Sequence, residues 1–230
     1  MPFTPTRRLI LHAGLGIVAA RLSGLAPAHA LTPEPSALPT RRLFFRDPDR
    51  SAVRVSPDGR NIAWREPRDG VLNLMVAPVE EPARSRMVTH AKDRSVASYF
   101  IWAWTNKHII FFDTVGDENY HAYSVDLDTG ATIPLTPAGS VRSFVQQRTR
   151  RFPNEMLFGV NARDHKLFDI VRINVITGES QPFFQNPGFQ RIYTASDFAV
   201  HFGRRFLADG SVEVQRWEDR KSTRLNSSHI

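Results

Sequence analysis

The amino-acid sequence predicts an all-β protein built from a repeated unit, and three observations carry that prediction. The apolar segments in the middle of the chain are short or alternating, and none has the 3.6-residue period of an amphipathic helix. Gly, Asp and Pro separate these segments where tight turns are needed. Matching segments also recur at a constant spacing, which is the signature of a repeat architecture.

The spacing of the repeat is 48 residues. Gly130 and Gly178, which each close a strand with a tight turn, are 48 positions apart, and so are Ile109 and Leu157 in the preceding strands. A unit of about fifty residues with about four strands is typical of a β-propeller blade, whereas a β-sandwich requires no constant spacing. The sequence therefore predicts an incomplete β-propeller of about three four-stranded blades plus part of a fourth, which begins at Phe189.

Local turn chemistry supports the same fold. Ser56-Pro57-Asp58-Gly59 precedes the first repeated strand and is typical of a turn, because Pro presets φ and Gly accepts a left-handed exit. Asp209-Gly210 predicts a hairpin in the fourth unit. Strand alternation places Trp102 and Trp104 on one face, where we expect them to pack between blades.

Residues 1–30 predict a cleaved export signal. Arg7 and Arg8 precede a short apolar run, and Ala28 and Ala30 supply the small residues that signal peptidase requires. The segment 6–11 also resembles a twin-arginine motif, so both the Sec and the twin-arginine routes stay open. The expected location is periplasmic or extracellular. The apolar run is too short to predict a stable membrane anchor.

The last twelve residues predict a tail of foreign origin. Residues 219–229 resemble the translation of a sequencing adapter, with a disordered polar tail as the alternative. The predicted organisation is a signal peptide at 1–30, a flexible mature N-terminus at 31–42, a partial propeller at 43–218 and an adapter-derived tail at 219–230.

Charge and composition exclude several functions. The formal net charge is +7, but residues 1–30 contribute +3 and residues 219–230 contribute +2, which leaves +2 for residues 31–218. That balance does not predict nucleic-acid binding. The chain has 0 Cys, so it has no thiolate metal site and no Cys nucleophile.

Several segments carry a family resemblance. They are Asp47-Pro48-Asp49-Arg50, Val55-Ser56-Pro57-Asp58-Gly59, Trp64, Asn73-Leu74, Gly116-Asp117-Glu118-Asn119-Tyr120-His121-Ala122-Tyr123 and Val125-Asp126-Leu127-Asp128-Thr129-Gly130. They resemble the start of the propeller in prolyl-oligopeptidase-family serine peptidases, in the dipeptidyl-peptidase and acylaminoacyl-peptidase-like branch. The resemblance runs from about residue 43 to about residue 218.

The resemblance implies a function for a longer protein. In this family a propeller caps an α/β-hydrolase domain whose Ser-Asp-His triad cleaves short peptides, and the propeller limits which substrates enter. This sequence contains no Gly-x-Ser-x-Gly segment, so no catalytic residue is carried over. Two hypotheses follow: the gating propeller of an exported peptidase truncated before its catalytic domain, or a stand-alone periplasmic propeller that acts as a binding or scaffold module.

Few side chains are candidates for direct chemistry. Asp117 and Glu118 lie in a predicted blade loop and are the candidate substrate-facing residues, with hydrogen bonding inside the loop as the alternative. Asp126 and Asp128 resemble the opening of a calcium loop, but the later ligands are missing, so no metal site is predicted. No spacing of His residues predicts ligands or a catalytic triad, and no cofactor is predicted.

Overall fold

The structure is a computed structural model that describes residues 41, 49–96, 99–114, 119–218 and 221–225, with side chains described as far as residue 217. The chain divides into two units, Met1–Arg46 and Asp47–Ile230, and the β-structure described below lies in the second. The predicted signal segment, with Arg7, Arg8, Ala28 and Ala30, lies outside the described residues.

The second unit consists of four antiparallel sheets of four strands, each numbered here in chain order. Sheet 1 contains β1 (Ser51–Val55), β2 (Asn61–Arg68), β3 (Val71–Pro78) and β4 (Arg86–Met87). Sheet 2 contains β5 (Phe100–Trp102), β6 (His108–Thr114), β7 (Tyr120–Asp126) and β8 (Thr132–Pro134). Sheet 3 contains β9 (Ser143–Arg148), β10 (Glu155–Asp164), β11 (Leu167–Asn174) and β12 (Ser180–Phe184). Sheet 4 contains β13 (Arg191–Thr194), β14 (Val200–Phe206), β15 (Val212–Glu218) and β16 (Lys221–Leu225).

Every strand pairs with the next strand along the chain, so each sheet is a simple meander of the kind that forms a propeller blade. The predicted all-β propeller architecture is confirmed, and the described sheets do not close into a ring. Pro82–Arg84 forms a short 3-10 helix between β3 and β4. No helix within the described ranges is long and apolar enough to cross a membrane.

Sheet 4 has a complete set of four strands, one more than the partial blade expected. Its last strand, β16, comes from the segment predicted to be adapter-derived, and it pairs with β15 from Val214 to Glu218. Strand pairing uses backbone N–H and C=O groups, which every non-proline residue supplies. The foreign origin of residues 219–230 stays a prediction.

Alternating side chains of each central strand pack against different sheets. Ala63 faces the core shared with sheet 2, whereas its neighbour Trp64 lies in a separate cluster on the opposite face of sheet 1. Ile109 and Ile110 in β6 divide in the same way, toward sheets 1 and 3. Full burial of such a side chain stabilises the fold by about 1.5–3 kcal/mol. The sheets are therefore held together face to face by apolar side chains.

The turn between the first and second strands has the same backbone form in three sheets. In the first sheet Gly59 has a φ of +76° and its N–H donates to Ser56 O at 2.9 Å, which confirms the turn predicted there. Asn106 and Phe198 take the same place with φ of +59° and +72°. Asn tolerates this region, and burial of Phe198 among the aromatic rings between sheets 3 and 4 offsets its strain.

The repeat spacing is confirmed in the turn between the third and fourth strands. Asp126 Oδ1 accepts the N–H groups of residues 128 and 129, and Asn174 Oδ1 accepts those of residues 176 and 177. In the preceding strand the spacing measured by pairing is one residue shorter, because His108 pairs with Asp126 and Glu155 pairs with Asn174. The hairpin of sheet 3 holds the extra residue.

Candidate functional site

The meander gives each sheet two functionally different ends. At the turn end lie the turns that join the first strand to the second and the third to the fourth. At the hairpin end lie the hairpins between the second and third strands and the linkers to the next sheet, 88–99, 135–142 and 185–190. Asp117 and Glu118 lie outside the described residues. Thr114 pairs with Tyr120 at the base of their loop, which belongs to the hairpin end.

A polar side chain on the third strand fixes the linker in three sheets. Asn73, His121 and Asp169 hold this position at intervals of 48 residues. Asn73 Oδ1 accepts the N–H of Ala91 at 2.8 Å, and its Nδ2 donates to the carbonyl of the same residue at 3.0 Å. The His121 ring nitrogen Nδ1 donates to Pro137 O at 2.8 Å. We call these three side chains the linker anchors.

The third linker anchor is ionic. Asp169 Oδ1 accepts the N–H of Asn186 at 2.8 Å, and both of its oxygens accept from the Arg163 guanidinium, at 2.7 and 2.8 Å. Hydrogen bonding to Arg163 is the main cause that lowers the pKa of the Asp169 carboxyl below its usual 3.8, and burial opposes the shift. Asn186 in turn binds the backbone of Phe168 and Phe189.

A cleft opens at the hairpin end between sheets 3 and 4. It encloses about 230 Å³ and is lined by Phe144, Gln146, Phe168, Asn186, Arg191 and Ile192, among others. The Phe144 ring lies over Gly159, where a Cβ would come within 2.4 Å of it, and packs edge-on against Phe168 with centroids 5.1 Å apart. Phe144 is still 40% exposed. Such an aromatic cleft with a few amides suits an apolar side chain of a ligand.

The resemblance of Asp126 to a calcium-loop ligand has a structural explanation. One oxygen of Asp126 is used by two backbone N–H groups of its own turn, and Lys107 Nζ lies 2.5 Å from Asp128 Oδ2. The neutral amide of Asn174 makes the same turn in sheet 3. Among the residues that the structure describes, no group of three or more His, Asp or Glu side chains is placed to hold a metal ion.

The buried histidines and serines serve the fold. His108 Nδ1 lies 3.0 Å from Thr105 Oγ1, and burial is the main cause that lowers the pKa of this imidazole. Ser56 Oγ donates to Asp58 and accepts from Asn61 N, while Ser143 Oγ donates to Tyr120 O. These contacts are internal to turns and sheet junctions, so none of the described serines named here forms a triad.

The expectation that Trp102 and Trp104 share one face is wrong. Strand β5 ends at Trp102, and Trp104 lies in the turn that follows, so strand alternation no longer applies. Trp102 is buried against sheet 1, and its indole N–H donates to Arg54 O at 3.2 Å. Trp104 contacts sheet 3 instead, with the guanidinium of Arg150 5.0 Å from its ring centroid.

Comparison with known proteins gives the relationship of the chain. No protein-family model matches it. It is 33% identical over 193 residues to dipeptidyl aminopeptidase BIII from Pseudoxanthomonas mexicana, which covers 83% of this chain and 28% of that protein. It is 22% identical over 197 residues to dipeptidyl peptidase family member 6 from Caenorhabditis elegans, which covers 82% of this chain and 26% of that protein.

The chain is a homologue of prolyl-oligopeptidase-family peptidases. The chain spans little more than a quarter of the length of these curated relatives. Among solved structures it is similar to the β-propeller domain of the Trilobed protease from Pyrococcus furiosus, with a TM-score of 0.51 and 15% identity, over 77% of this chain and 58% of that one. That similarity supports the propeller fold alone.

The homology to peptidases directs attention to the hairpin end. Sequence reasoning named Asp117 and Glu118 there, but it missed the linker anchors and the aromatic cleft. The signal for the anchors was present, because Asn73, His121 and Asp169 keep the spacing of 48 residues. The three residues differ in chemical type, so their equivalence is recognised only from the contacts they make.

Proposed function

We propose that this chain is the substrate-gating propeller of an exported serine peptidase that cleaves short peptides. The observation that carries the proposal is the 33% identity to a dipeptidyl aminopeptidase over 83% of the chain. The catalytic α/β-hydrolase domain is then a partner outside this chain, and the propeller itself supplies no nucleophile. The four stacked sheets are consistent with a rigid cover rather than with a catalytic domain.

In this proposal the hairpin end faces the peptide. The loop that carries Asp117 and Glu118 belongs to this end, and its carboxylates suit the amino terminus of a short peptide. The cleft beside Phe144 and Phe168 suits an apolar side chain. The linker anchors hold the loops around both features in place, so the surface is preorganised for binding.

The export part of the proposal rests on residues 1–30. Arg7 and Arg8 before an apolar run, with Ala28 and Ala30 at its end, have the order of an export signal. Amino-terminal sequencing of the secreted or periplasmic product tests this part. Cleavage after Ala30 is expected, and a mature protein that retains Arg7 and Arg8 contradicts it.

The most direct test of the proposed parent protein is the genomic sequence beyond the codon for Glu218. We expect an open reading frame that continues through further blade repeats to a Gly-x-Ser-x-Gly segment followed by Asp and His. A stop codon shortly after a closing blade contradicts the peptidase proposal. That result favours the alternative, a stand-alone periplasmic propeller with a binding or scaffold role.

A further inference from the structure

Three arginines from successive sheets lie at the turn end of the first strands. Arg54 lies in β1, Arg148 ends β9, and Arg150 follows in the next turn. The first strands are joined by side-chain contacts, since Trp102 Nε1 donates to Arg54 O at 3.2 Å and Arg148 Nη1 donates to Trp102 O at 2.5 Å. In a propeller the blades surround a central channel, which their first strands line here.

The repeat shows that the positive charge of Arg148 is not required by the fold. By pairing, Trp102 opposite Ile109 and Arg148 opposite Met156 hold equivalent positions in sheets 2 and 3. Each donates one hydrogen bond to a first-strand carbonyl of the preceding sheet. A neutral indole N–H does this in one sheet, so the same contact in the next sheet needs a donor but no cation.

The three cations also lack carboxylate partners. Among the residues that the structure describes, no Asp or Glu oxygen lies within 4.0 Å of the guanidinium groups of Arg54, Arg148 or Arg150. Arg148 is nevertheless half-buried. Burial is the main cause that lowers the pKa of its guanidinium, the Tyr99 phenol opposes the shift, and the nearby charge of Arg54 adds to it. A partly desolvated cation beside a like charge favours an anionic ligand.

An aromatic ring orients two of the guanidiniums. Arg148 and Arg150 lie 5.4 and 5.0 Å from the centroid of the Trp104 ring. Stacking on an indole limits the movement of a guanidinium while leaving its N–H groups able to bind an oxyanion. The Trp104 N–H is itself buried and has no hydrogen-bond partner among the described residues.

We propose that Arg54, Arg148 and Arg150, with Trp104, form a binding site for the carboxylate of a short peptide at the turn-end mouth of the channel. Guanidinium groups match the geometry of a carboxylate and bind it more strongly than a neutral acceptor does. This inference rests on the proposed function, since it names the peptide group that the gate recognises. It makes a free carboxylate a condition for efficient capture.

The test measures peptide binding to the full chain by calorimetry at low ionic strength. N-acetyl trialanine with a free carboxylate is compared with the same peptide as its C-terminal amide. We expect the free acid to bind about tenfold more tightly, since one charge-assisted pair is lost in the amide. Equal affinity of the two peptides overturns the proposal. Displacement of the free acid by an equal concentration of inorganic phosphate also overturns it, because the site then recognises any oxyanion.

Variants assign the effect to these residues. Arg150→Gln removes a cation that makes no described hydrogen bond, and Arg148→Gln keeps an N–H donor at the position that contacts Trp102 O. Both are expected to abolish the preference for the free acid. Arg84→Gln is the matched control, because Arg84 is exposed and pairs with Glu81. Variants that keep the wild-type preference contradict the assignment. Binding is measured without hydrolysis, so failure of the peptidase proposal leaves this result distinct.

Discussion

The turn end and the hairpin end of the same sheets follow different rules. At the turn end, residues of different type make the same structure: Asp126 and Asn174 accept the same backbone N–H groups. At the hairpin end, the linker anchors Asn73, His121 and Asp169 hold the same position but make different bonds. The turns have a fixed length, whereas the linkers differ in length. Each linker therefore requires its own chemistry, and variation accumulates at the end where function is proposed.

The largest effect is expected from loss of a linker anchor. Asn73→Ala removes the bonds to both backbone groups of Ala91 and to Thr89 Oγ1. Because Asn73 is 2% exposed, its former partners have no water to replace it. We expect the free energy of unfolding of the chain to fall by about 3 kcal/mol. Urea unfolding followed by tryptophan fluorescence measures it, and a loss similar to that of the exposed control Asn226→Ala contradicts the assigned role.

A smaller effect is expected at the turn end. Asp126→Ala removes one acceptor from two backbone N–H groups of an exposed turn and is expected to lower the free energy of unfolding by about 1 kcal/mol. Asp126→Asn is expected to change it by less than about 0.5 kcal/mol, because Asn174 makes this turn in sheet 3. Equal losses in the two variants show that the carboxylate charge is needed and that the two turns are not interchangeable.

Acid is expected to act on the two ends in different pH windows. Burial lowers the pKa of His108, at the turn end, below 6.5. The unfolded state then binds a proton more readily, so this contribution to stability is complete above the unfolded pKa and is lost as the pH falls below it. His108→Gln is expected to flatten the melting temperature between about pH 7 and pH 5. An unchanged slope in that variant contradicts the assignment.

The hairpin end is expected to respond only to stronger acid. Asp169 has its pKa lowered below 3.8 by Arg163, so its contribution is present above 3.8 and is lost as the pH falls through the lower, folded value. Asp169→Asn is expected to reduce the acid sensitivity of the chain below about pH 4 and to leave the window of His108 unchanged. Thermal melts of both variants across the full pH range separate the two ends.

The repeat and its turns were predictable because backbone requirements restrict the residue types. Gly59, Gly130 and Gly178 all have positive φ, and their spacing is visible in the sequence. The position of Trp104 was not predictable by alternation, because β5 ends after three residues. The equivalence of Trp102 and Arg148 was hidden for a similar reason. The two side chains share only an N–H donor, and an irregularity between Leu157 and Phe158 shifts the pairing in sheet 3.

The measurement that tests the account most directly is peptide hydrolysis by two purified proteins. One is this chain, and the other is the product of the reading frame continued beyond the codon for Glu218. With a chromogenic dipeptide substrate, we expect turnover by the longer product and none by the chain, because the chain supplies a cover and no nucleophile. Hydrolysis by the chain that survives further purification, or an inactive longer product with an intact Gly-x-Ser-x-Gly segment, contradicts the account.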